Sequence, residues 1–368
     1  MVKKLHLKNI KSRGKRHSRK INKSSEKSKI YKESKVKKIK ENIENQERIS
    51  EKEIKQAEEI IKKLKQEIAK IVVGQEKVVN GLISALICNG HVLLEGVPGI
   101  AKTLVIKALG LASGCEVKRI QFTVDLLPTD IIGITSYTPN KGFETIKGPI
   151  FANFIIADEI NRSPPKTQSA LIEAMQEKQV TIGKQRFFLP KPFFVMATKN
   201  PLESAGVYTL PEAQLDRFLF KLIMEYPEKK DELEIMEENV SLKSFEDFNI
   251  KAVITPKDII NLQKMVHKIY LSQKIKDYII AIVEKTRDKN FKNAEYIGYG
   301  ASPRASIALF IASKARAMSL GRTFVLPEDV KIVVFDILRH RLILNYKATV
   351  RGITPEQMIQ SILEDISL

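Results

Sequence analysis

The segment HVLLEGVPGIAKT has the residue types of a phosphate-binding loop. An apolar strand pattern leads into Gly96 and Gly99, and the helical pattern LVIKALGLA follows Lys102 and Thr103. The two glycines let the backbone curl so that successive N–H groups point at an anion, close to the positive end of the following helix. The Lys102 ammonium can reach the outer phosphates, and the Thr103 hydroxyl can coordinate Mg²⁺. These residues predict a nucleotide site, although Ala101 occupies the last glycine position of the common loop pattern.

Two acidic residues and an asparagine follow later apolar runs. Asp158 and Glu159 end the run FIIADE, and Asn200 ends the run FFVMATKN. A carboxylate at the end of a buried strand near the loop can hold the Mg²⁺ shell, and a second can orient and deprotonate the attacking water. If the two strands are neighbours, Asn200 emerges beside the γ-phosphate and can position that water. The pattern predicts ATP hydrolysis that depends on Mg²⁺.

Short apolar runs alternate with helical stretches between residues 71 and 228. The predicted strands lie at 91–95, 117–121, 154–158, 193–198 and 219–224. Strands separated by helices indicate parallel βαβ units, so we expect an α/β fold with a doubly wound parallel sheet. Two hairpins are expected as insertions, one in SYTPNKGFET and one in VTIGKQRFFL with its turn near Gly183.

The segments on either side of this core have different patterns. Residues 229–255 are acidic and rich in lysine, which predicts a linker, and residues 256–368 are helical throughout without a convincing strand, which predicts a separate all-α domain. Residues 46–70 are expected to form an amphipathic helix that packs on the following domain, because three heptads are few for a coiled-coil dimer. Its apolar stripe, at spacings of three and four, consists of Ile54, Ala57, Ile61, Leu64, Ile68 and Ile71.

The positive charge of the chain is concentrated near its N-terminus. The chain carries 62 Lys and Arg against 43 Asp and Glu, a net charge of +19. Residues 1–40 hold 17 basic and 2 acidic residues with few apolar ones, so residues 1–45 are predicted to be a disordered tail. Such a tail can contact nucleic acid or an anionic surface without reading sequence, or it can be a solvated extension.

The cysteine content and the lengths of the apolar runs predict where in the cell the protein is located. The chain has two cysteines, Cys88 and Cys115, and neither belongs to a CxxC motif or a Cys/His cluster. This excludes a disulfide framework and a structural zinc site, and it fits a reducing environment. No apolar run approaches the ~18 residues that a transmembrane helix needs, and the basic N-terminus lacks the apolar region of a signal peptide. We therefore expect a cytoplasmic protein.

Over roughly residues 70–368 the chain resembles the MoxR family of AAA+ ATPases. The resemblance rests on GVPGIAKT, GPIFANFIIADEINRSPPKTQSALIEAMQEKQVTI, ATKNP, LPEAQLDRF and SPRA. It implies an AAA+ P-loop NTPase domain with three αβα layers over residues 71–228, followed by a helical lid domain over residues 256–368. It also implies a homohexameric ring with ATP and Mg²⁺ sites between subunits. The loop of this family carries alanine at the position of Ala101.

The resemblance assigns roles to the residues already singled out. Lys102 and Thr103 match the Walker A loop, Asp158 and Glu159 match the Walker B acids, and Asn200 matches sensor 1. The segment around Val73 and Gly74 resembles the stretch that contacts adenine. The implied nucleotide-binding residues are Val73, Gly74, Gly96, Val97, Pro98, Gly99, Ile100, Ala101, Lys102, Thr103 and Leu104, and the implied metal ligands are Thr103 and Asp158.

Two arginines receive their roles from the resemblance alone. Arg217 looks like the finger that reaches into a neighbour's site, and Arg304 looks like sensor 2 in the lid. ATP is then expected between the sheet domain and the lid, with both arginines offsetting developing charge. Arg162 receives no role. The chain departs from the family at Val124 and Thr209, where proline is common. Neither position is expected to touch the phosphates, so the departures concern the loops implied in remodelling and not the residues implied in hydrolysis.

The implied function is ATP-driven remodelling or maturation of client proteins, through metal insertion or complex assembly. The two hairpins would act on the client, often a protein with a von Willebrand factor A domain. Two alternatives stay open. A nucleic-acid-associated AAA+ motor could use the basic tail to hold DNA, although the rest of the chain has a small net charge. A nucleotide-gated scaffold would bind ATP and assemble with negligible turnover, although the acids and arginines are intact.

Overall fold

The computed structural model describes residues 48–139, 142–201, 208–237 and 245–366. The predicted tail of residues 1–45 lies outside the described residues. The strands are β1 (Val92–Gly96), β2 (Val117–Gln121), β3 (Gly133–Thr138), β4 (Gly142–Lys147), β5 (Phe154–Asp158), β6 (Gln179–Ile182), β7 (Gln185–Phe188), β8 (Phe194–Lys199), β9 (Phe220–Met224), β10 (Ile297–Tyr299) and β11 (Ile343–Leu344). Five of them form a parallel sheet in the order β2-β5-β8-β1-β9. Each predicted sheet strand lies within one residue of its expected bounds.

Helices cover both faces of this sheet. They are α1 (Glu51–Ile68), α2 (Glu76–Ile87), α3 (Lys102–Ala112), α4 (Pro128–Ile132), α5 (Pro165–Glu177), α6 (Glu212–Leu215), α7 (Lys229–Glu237), α8 (Pro256–Lys268), α9 (Gln273–Lys285), α10 (Pro303–Ser319), α11 (Pro327–Leu338), α12 (Tyr346–Val350) and α13 (Pro355–Asp365). Short 3₁₀ turns lie at Pro149–Phe151, Ile160–Arg162, Phe245–Phe248 and Ala294–Tyr296. Within the described ranges, no helix is both long enough and apolar enough to cross a membrane.

Alternating strand residues build two separate cores, because successive side chains of a strand point to opposite faces. Val92 and Leu94 of β1 belong to a core shared with α1, α2, α3 and the C-terminal helices. Leu93 belongs to a second core with α4 and α5 on the other face. The two cores confirm the predicted three-layer αβα architecture.

The N-terminal helix α1 begins at a capping box. The Ser50 hydroxyl accepts from the Glu53 N–H, and the Glu53 carboxylate accepts from the Ser50 N–H at 2.8 Å, so both orphan donors are satisfied. The predicted apolar stripe of the helix is buried and belongs to the first core. The helix is shorter than the predicted 46–70, and Ile71 of the stripe lies beyond its end but in the same core.

Both expected hairpins are present. Strands β3 and β4 pair antiparallel, as do β6 and β7, while positions 140 and 141 of the first turn lie outside the described residues. Three aromatic side chains on these hairpins are largely exposed, Tyr137 at 63%, Phe143 at 80% and Phe188 at 79%. The rings of Tyr137 and Phe143 lie 5.3 Å apart, so the first hairpin presents a paired apolar surface to solvent.

The C-terminal region is mostly helical, but the expectation that it lacks strands is wrong. β10 and β11 form a small antiparallel sheet. Strands of three and two residues are too short for an alternating pattern to show in the sequence. Buried residues of α10, such as Leu309, join the core that α1, α2 and α3 share, and the chain from Ile49 onward forms one compact unit.

The parallel strands bring three chain segments to one edge of the sheet. Leu94 lies opposite Thr198, Ala157 lies opposite Ala197, and Gln121 lies opposite Asp158. Since all five strands run in the same direction, the residues that follow their carboxyl ends meet at this edge. The fold therefore places the predicted phosphate loop, the two acids and the asparagine together.

A buried histidine at the start of β1 is expected to make stability depend on pH. His91 Nδ1 accepts from the Val195 N–H at 3.1 Å, and Nε2 lies 3.2 Å from the Met175 carbonyl. Burial lowers the pKa of His91 from 6.5 to about 4. Its contribution is therefore complete above pH 6.5 and is lost as the pH falls toward 4, about 3 kcal/mol in full.

Urea unfolding of the wild type and His91→Gln at several values between pH 4 and pH 7 checks this expectation. The variant should be less stable at pH 7, and its free energy of unfolding should fall less steeply on acidification. Parallel curves for the two proteins would show that His91 does not carry this dependence.

Candidate functional site

The loop between β1 and α3 has the backbone of an anion cradle. Gly99 has φ +84° and Ala101 has φ +64°, so two of its residues adopt the left-handed conformation. Gly96 is required for space, since an added Cβ would lie 2.9 Å from the Met224 carbonyl oxygen. A Cβ at Gly99 would meet nothing within 4 Å, so conformation selects glycine there. The curled loop presents backbone N–H groups at the N-terminus of α3, as an anion requires.

Lys102 lies against this loop. Its ammonium donates to the Gly96 carbonyl and, at 3.1 Å, to the Val97 carbonyl. The side chain thereby folds back over the turn, where it can exchange carbonyl contacts for phosphate oxygens. Ile100 packs its side chain next to Gly96 and contacts the first core.

A cavity of about 540 Å³ opens beside the loop, and we call it the phosphate cavity. Its lining joins the loop to the two acids and the asparagine. The lining residues are Pro98, Gly99, Ala101, Lys102, Thr103, Leu104, Lys107, Asp158, Glu159 and Asn200. Lys107 was missed by the sequence reasoning. Its position four residues after Thr103, on the same face of α3, is the signal that could have found it.

Asp158 is held by two neighbouring strands. Its Oδ2 accepts from Arg119 of β2 through Nη2 at 2.6 Å and Nε at 3.0 Å. Its Oδ1 accepts from the Thr198 hydroxyl of β8 at 2.5 Å. The carboxylate is thus held in one orientation at the cavity wall.

Glu159 stands in a left-handed conformation, with φ +57° and ψ +50°. Its N–H donates to the Thr198 hydroxyl at 2.8 Å, and its Oε2 accepts from Gln121 Nε2 at 2.7 Å. Arg162 Nε lies 3.3 Å from the same oxygen. A non-glycine residue in this conformation is strained, and such strain clusters at functional sites. The sequence reasoning missed Gln121 and Arg119, which lie two residues apart and therefore on one face of β2.

The donors at the cavity suit Mg²⁺. Thr103 and Asp158 both line it, and Mg²⁺ prefers hydroxyl, carboxylate, phosphate and water oxygens. Mg²⁺ usually takes only one or two protein ligands beside phosphates and water, so this pair is sufficient. Among the described residues, no group of three or more His, Cys, Asp or Glu side chains could hold a metal ion.

Ala101 is expected to be a strained residue in the loop. A left-handed non-glycine residue costs about 1 kcal/mol, so Ala101→Gly should raise the free energy of unfolding by roughly that amount. Ala170→Gly, inside the right-handed helix α5, is the matched control and should lower it by about 1 kcal/mol. Denaturant unfolding measures both. A loss of stability in Ala101→Gly would show that the loop is not strained.

Val73 and Gly74 follow α1 and do not line the phosphate cavity. Gly74 has φ +71°, and an added Cβ would lie 2.6 Å from Oδ2 of Asp231 in α7. This close approach and the positive φ both select glycine. The structure thus places the predicted adenine-contacting segment against the first helix of the predicted linker.

The two predicted arginines are linked through Asp216 and do not line the phosphate cavity. Arg217 donates to Gln176 of α5, and its buried Nε makes no hydrogen bond within the described residues. Arg304 Nη1 lies 3.5 Å from Oδ2 of Asp216, the residue next to Arg217. Neither arginine lines the phosphate cavity. The role of Arg304 as sensor 2 stays a prediction, and the structure places its guanidinium at the Asp216 carboxylate.

Arg217 lines a second cavity of about 550 Å³, which we call the α5–α6 cleft. Its walls come from α5, α6 and the β6–β7 hairpin and are mainly polar. The lining residues are Ser169, Ile172, Glu173, Gln176, Glu177, Gln179, Thr181, Arg186, Gln214 and Arg217.

Two family models match this sequence. The model described as "ATPase family associated with various cellular activities (AAA)" matches residues 91–220, and the model described as "AAA lid domain" matches residues 291–362. The first covers the sheet, the loop and the acids, and the second covers the C-terminal helices. Fold and site therefore define the class of the protein as AAA+ ATPase.

Similar proteins narrow this class. Chaperone MoxR1 of Mycobacterium tuberculosis is 43% identical over 82% of this chain and 80% of its own length. Uncharacterized protein YeaC of Bacillus subtilis is 42% identical over 84% of this chain and 95% of its own length. A crystal structure from Cytophaga hutchinsonii, of a protein assigned as an ATPase, is 45% identical with a TM-score of 0.80, covering 85% of this chain and 96% of that one. The chain belongs to the MoxR family of AAA+ ATPases, as its motifs predicted.

Proposed function

We propose that this chain binds and hydrolyses ATP with Mg²⁺ in the phosphate cavity and uses the energy to remodel client proteins. The observation that carries the proposal is the convergence of the curled loop, Lys102, two carboxylates and Asn200 on one cavity of about 540 Å³. A chain that only bound nucleotide would not need Glu159, a second carboxylate in the cavity beside the proposed metal ligand Asp158.

The residues of the phosphate cavity have separate roles in phosphate binding, metal binding and activation of the attacking water. Backbone N–H groups of the loop and the Lys102 ammonium bind the outer phosphates, and Thr103 and Asp158 hold the metal. Bound Mg²⁺ neutralises charge on the outer phosphates. Glu159, oriented by Gln121 and Thr198, accepts a proton from the attacking water, and Asn200 positions that water.

The arginine pair acts on a second copy of this chain. Arg217 lines the α5–α6 cleft and Arg304 contacts Asp216, and neither arginine lines the phosphate cavity of its own subunit. A head-to-tail assembly, six copies by the resemblance, would bring this edge to the neighbour's nucleotide. Positive charge aimed at the γ-phosphate stabilises the transition state.

The client contact is assigned to the hairpins. The β3–β4 hairpin exposes Tyr137 and Phe143, and the β6–β7 hairpin exposes Phe188. Hydrolysis would release the arginine contacts and move the subunits, which transmits force to a bound protein. The relative from M. tuberculosis carries the name Chaperone MoxR1, which supports a protein client, in this chain's case one with a von Willebrand factor A domain by the resemblance.

Nucleotide binding and single-turnover hydrolysis by the purified chain test the proposal. The wild type should release phosphate from ATP only with Mg²⁺, and Lys102→Ala should lose nucleotide binding. Lys63→Ala, on the exposed face of α1, is the matched control and should behave as the wild type. Binding without measurable turnover would instead support a nucleotide-gated scaffold and overturn the proposed hydrolysis.

A further inference from the structure

Asp216 connects the two arginines to the C-terminal helices. Its Oδ1 accepts from Arg341 Nε at 2.8 Å, and its Oδ2 accepts from the Ser302 hydroxyl at 2.9 Å. Arg304 Nη1 lies 3.5 Å from Oδ2, and Arg217 is the next residue in the chain. One carboxylate, in the segment that carries Arg217, thus contacts the start of α10 and the segment just after α11.

Arg341 holds the backbone around Arg217. The Arg341 side chain is 3% exposed and, besides the Asp216 carboxylate, donates to main-chain carbonyls on both sides of Arg217. These carbonyls belong to Asp216 at 3.2 Å, Phe218 at 2.7 Å, Leu219 at 3.1 Å and, in α11, Ile337 at 2.6 Å. A planar guanidinium with several fixed acceptors is more rigid than an ammonium at the same place.

Burial of the Asp216–Arg341 ion pair carries a desolvation cost in free energy. Replacing a buried ion pair with packed apolar side chains is often neutral or stabilising, so its presence is weak evidence of a role in stability. Apart from the Ile337 carbonyl, the hydrogen bonds of Arg341 go to the segment 216–219, and the Asp216 carboxylate in turn contacts Ser302 and Arg304. This arrangement suits a network that fixes the orientation of the segment carrying Arg217 and of the Arg304 side chain.

We infer that Asp216 and Arg341 are positioning residues that hold Arg217 and Arg304 in one orientation toward the nucleotide of a second copy of this chain. Neither residue touches the nucleotide itself. The inference rests on the proposed function. In it, the Asp216–Arg341 pair orients Arg217 and Arg304 together toward the neighbour's nucleotide. A small misplacement of such groups is enough to lower a rate by about 100-fold.

The first test is Asp216→Asn, which keeps the shape of the side chain and removes its charge. We expect kcat for ATP to fall by about 10- to 100-fold, with unchanged binding of nucleotide to the phosphate cavity. The matched control is Asp329→Asn, which breaks a buried pair of similar geometry, with Arg322 at 2.6 and 2.9 Å. The control should lose stability and keep its kcat. Equal kcat values for Asp216→Asn and the wild type would overturn the inference.

The second test separates positioning in the neighbour's site from a structural role. Asp216→Asn subunits are expected to keep only the reduced turnover given above and Lys102→Ala subunits to be inactive, and the two are co-expressed so that they assemble together. Random head-to-tail pairing leaves about a quarter of the sites with an intact loop and an intact arginine edge, so about a quarter of wild-type turnover should return. No recovery would overturn the inference, because a local folding defect is not repaired by a neighbour.

Two further measurements keep the outcomes distinct. Co-expression of Arg217→Ala with Lys102→Ala should recover the same fraction, and its failure, or an inactive wild type, counts against the proposed function and not against the positioning role alone. If Asp216→Asn does not unfold cooperatively, Arg341→Lys takes its place. Lysine keeps the charge but lacks the planar fork of N–H donors that reaches the carboxylate and the carbonyls together. Arg341→Lys should show the same loss of kcat and the same recovery, and a wild-type kcat in this variant would overturn the inference.

Discussion

Glu159→Gln is expected to lower kcat for ATP hydrolysis by about 10²- to 10⁴-fold while nucleotide binding stays near the wild-type value. Glutamine has nearly the same size, and its amide oxygen can still accept from Gln121, which now donates to Oε2 at 2.7 Å. The change therefore removes the proton acceptor and leaves the cavity shape in place. The loss belongs to the chemical step and should appear in single-turnover phosphate release.

The matched control for this prediction is Glu116→Gln. Glu116 is exposed just before β2, pairs with Lys118 at 3.4 Å and does not line the phosphate cavity. Its replacement should leave both binding and turnover unchanged. If Glu159→Gln hydrolyses ATP as fast as the wild type, the general base has been assigned to the wrong residue. A loss of nucleotide binding would instead show that Glu159 supports the cavity itself.

The phosphate cavity could be predicted because its parts are local in the sequence. A glycine turn between a strand and a helix carries its own chemistry, and the acids at the end of β5 are adjacent residues. Only one assumption about the tertiary structure was needed to bring the loop and the acids together, namely that the carboxyl ends of parallel strands meet at one edge of the sheet. The register of Ala157 opposite Ala197, and of Leu94 opposite Thr198, confirms that assumption.

The partners of the acids could not be predicted in the same way. Arg119 and Gln121 contact residues about 40 positions away, and an Arg-x-Gln pattern on a strand carries no signature of its own. Their contacts depend on β2 lying beside β5, which is a property of the sheet order. A hydropathy pattern gives the existence of strands and not their neighbours.

The position of Arg304 was beyond sequence reasoning for a similar reason. The helical pattern after residue 256 predicts helices but not which end of α10 faces the sheet domain. In the structure its start contacts Asp216, more than 80 residues away, through both Ser302 and Arg304. A polar network between distant segments selects the docking geometry, and single positions within it look like ordinary surface charges.

Arg217→Ala is expected to lower kcat for ATP by about 10³-fold or more, the range seen when an arginine that contacts a transferring phosphoryl group is lost. The nucleotide affinity of separated subunits should not change, because Arg217 lines the α5–α6 cleft and not the phosphate cavity. Arg217→Lys should recover little, since an ammonium lacks the planar fork that matches phosphate oxygens. The matched control is Arg351→Ala, an arginine at Tyr296 that lines neither cavity.

The concentration dependence of turnover separates this role from one within the same subunit. If Arg217 serves a neighbour, the wild type should hydrolyse ATP faster per subunit as assembly increases with concentration, toward a plateau. Arg217→Ala should stay at the low rate of separated subunits even when light scattering shows full assembly. Because nucleotide binding, assembly and turnover are measured on the same samples, a rate loss that only follows loss of assembly would contradict the prediction. A wild-type rate in fully assembled Arg217→Ala would contradict it directly.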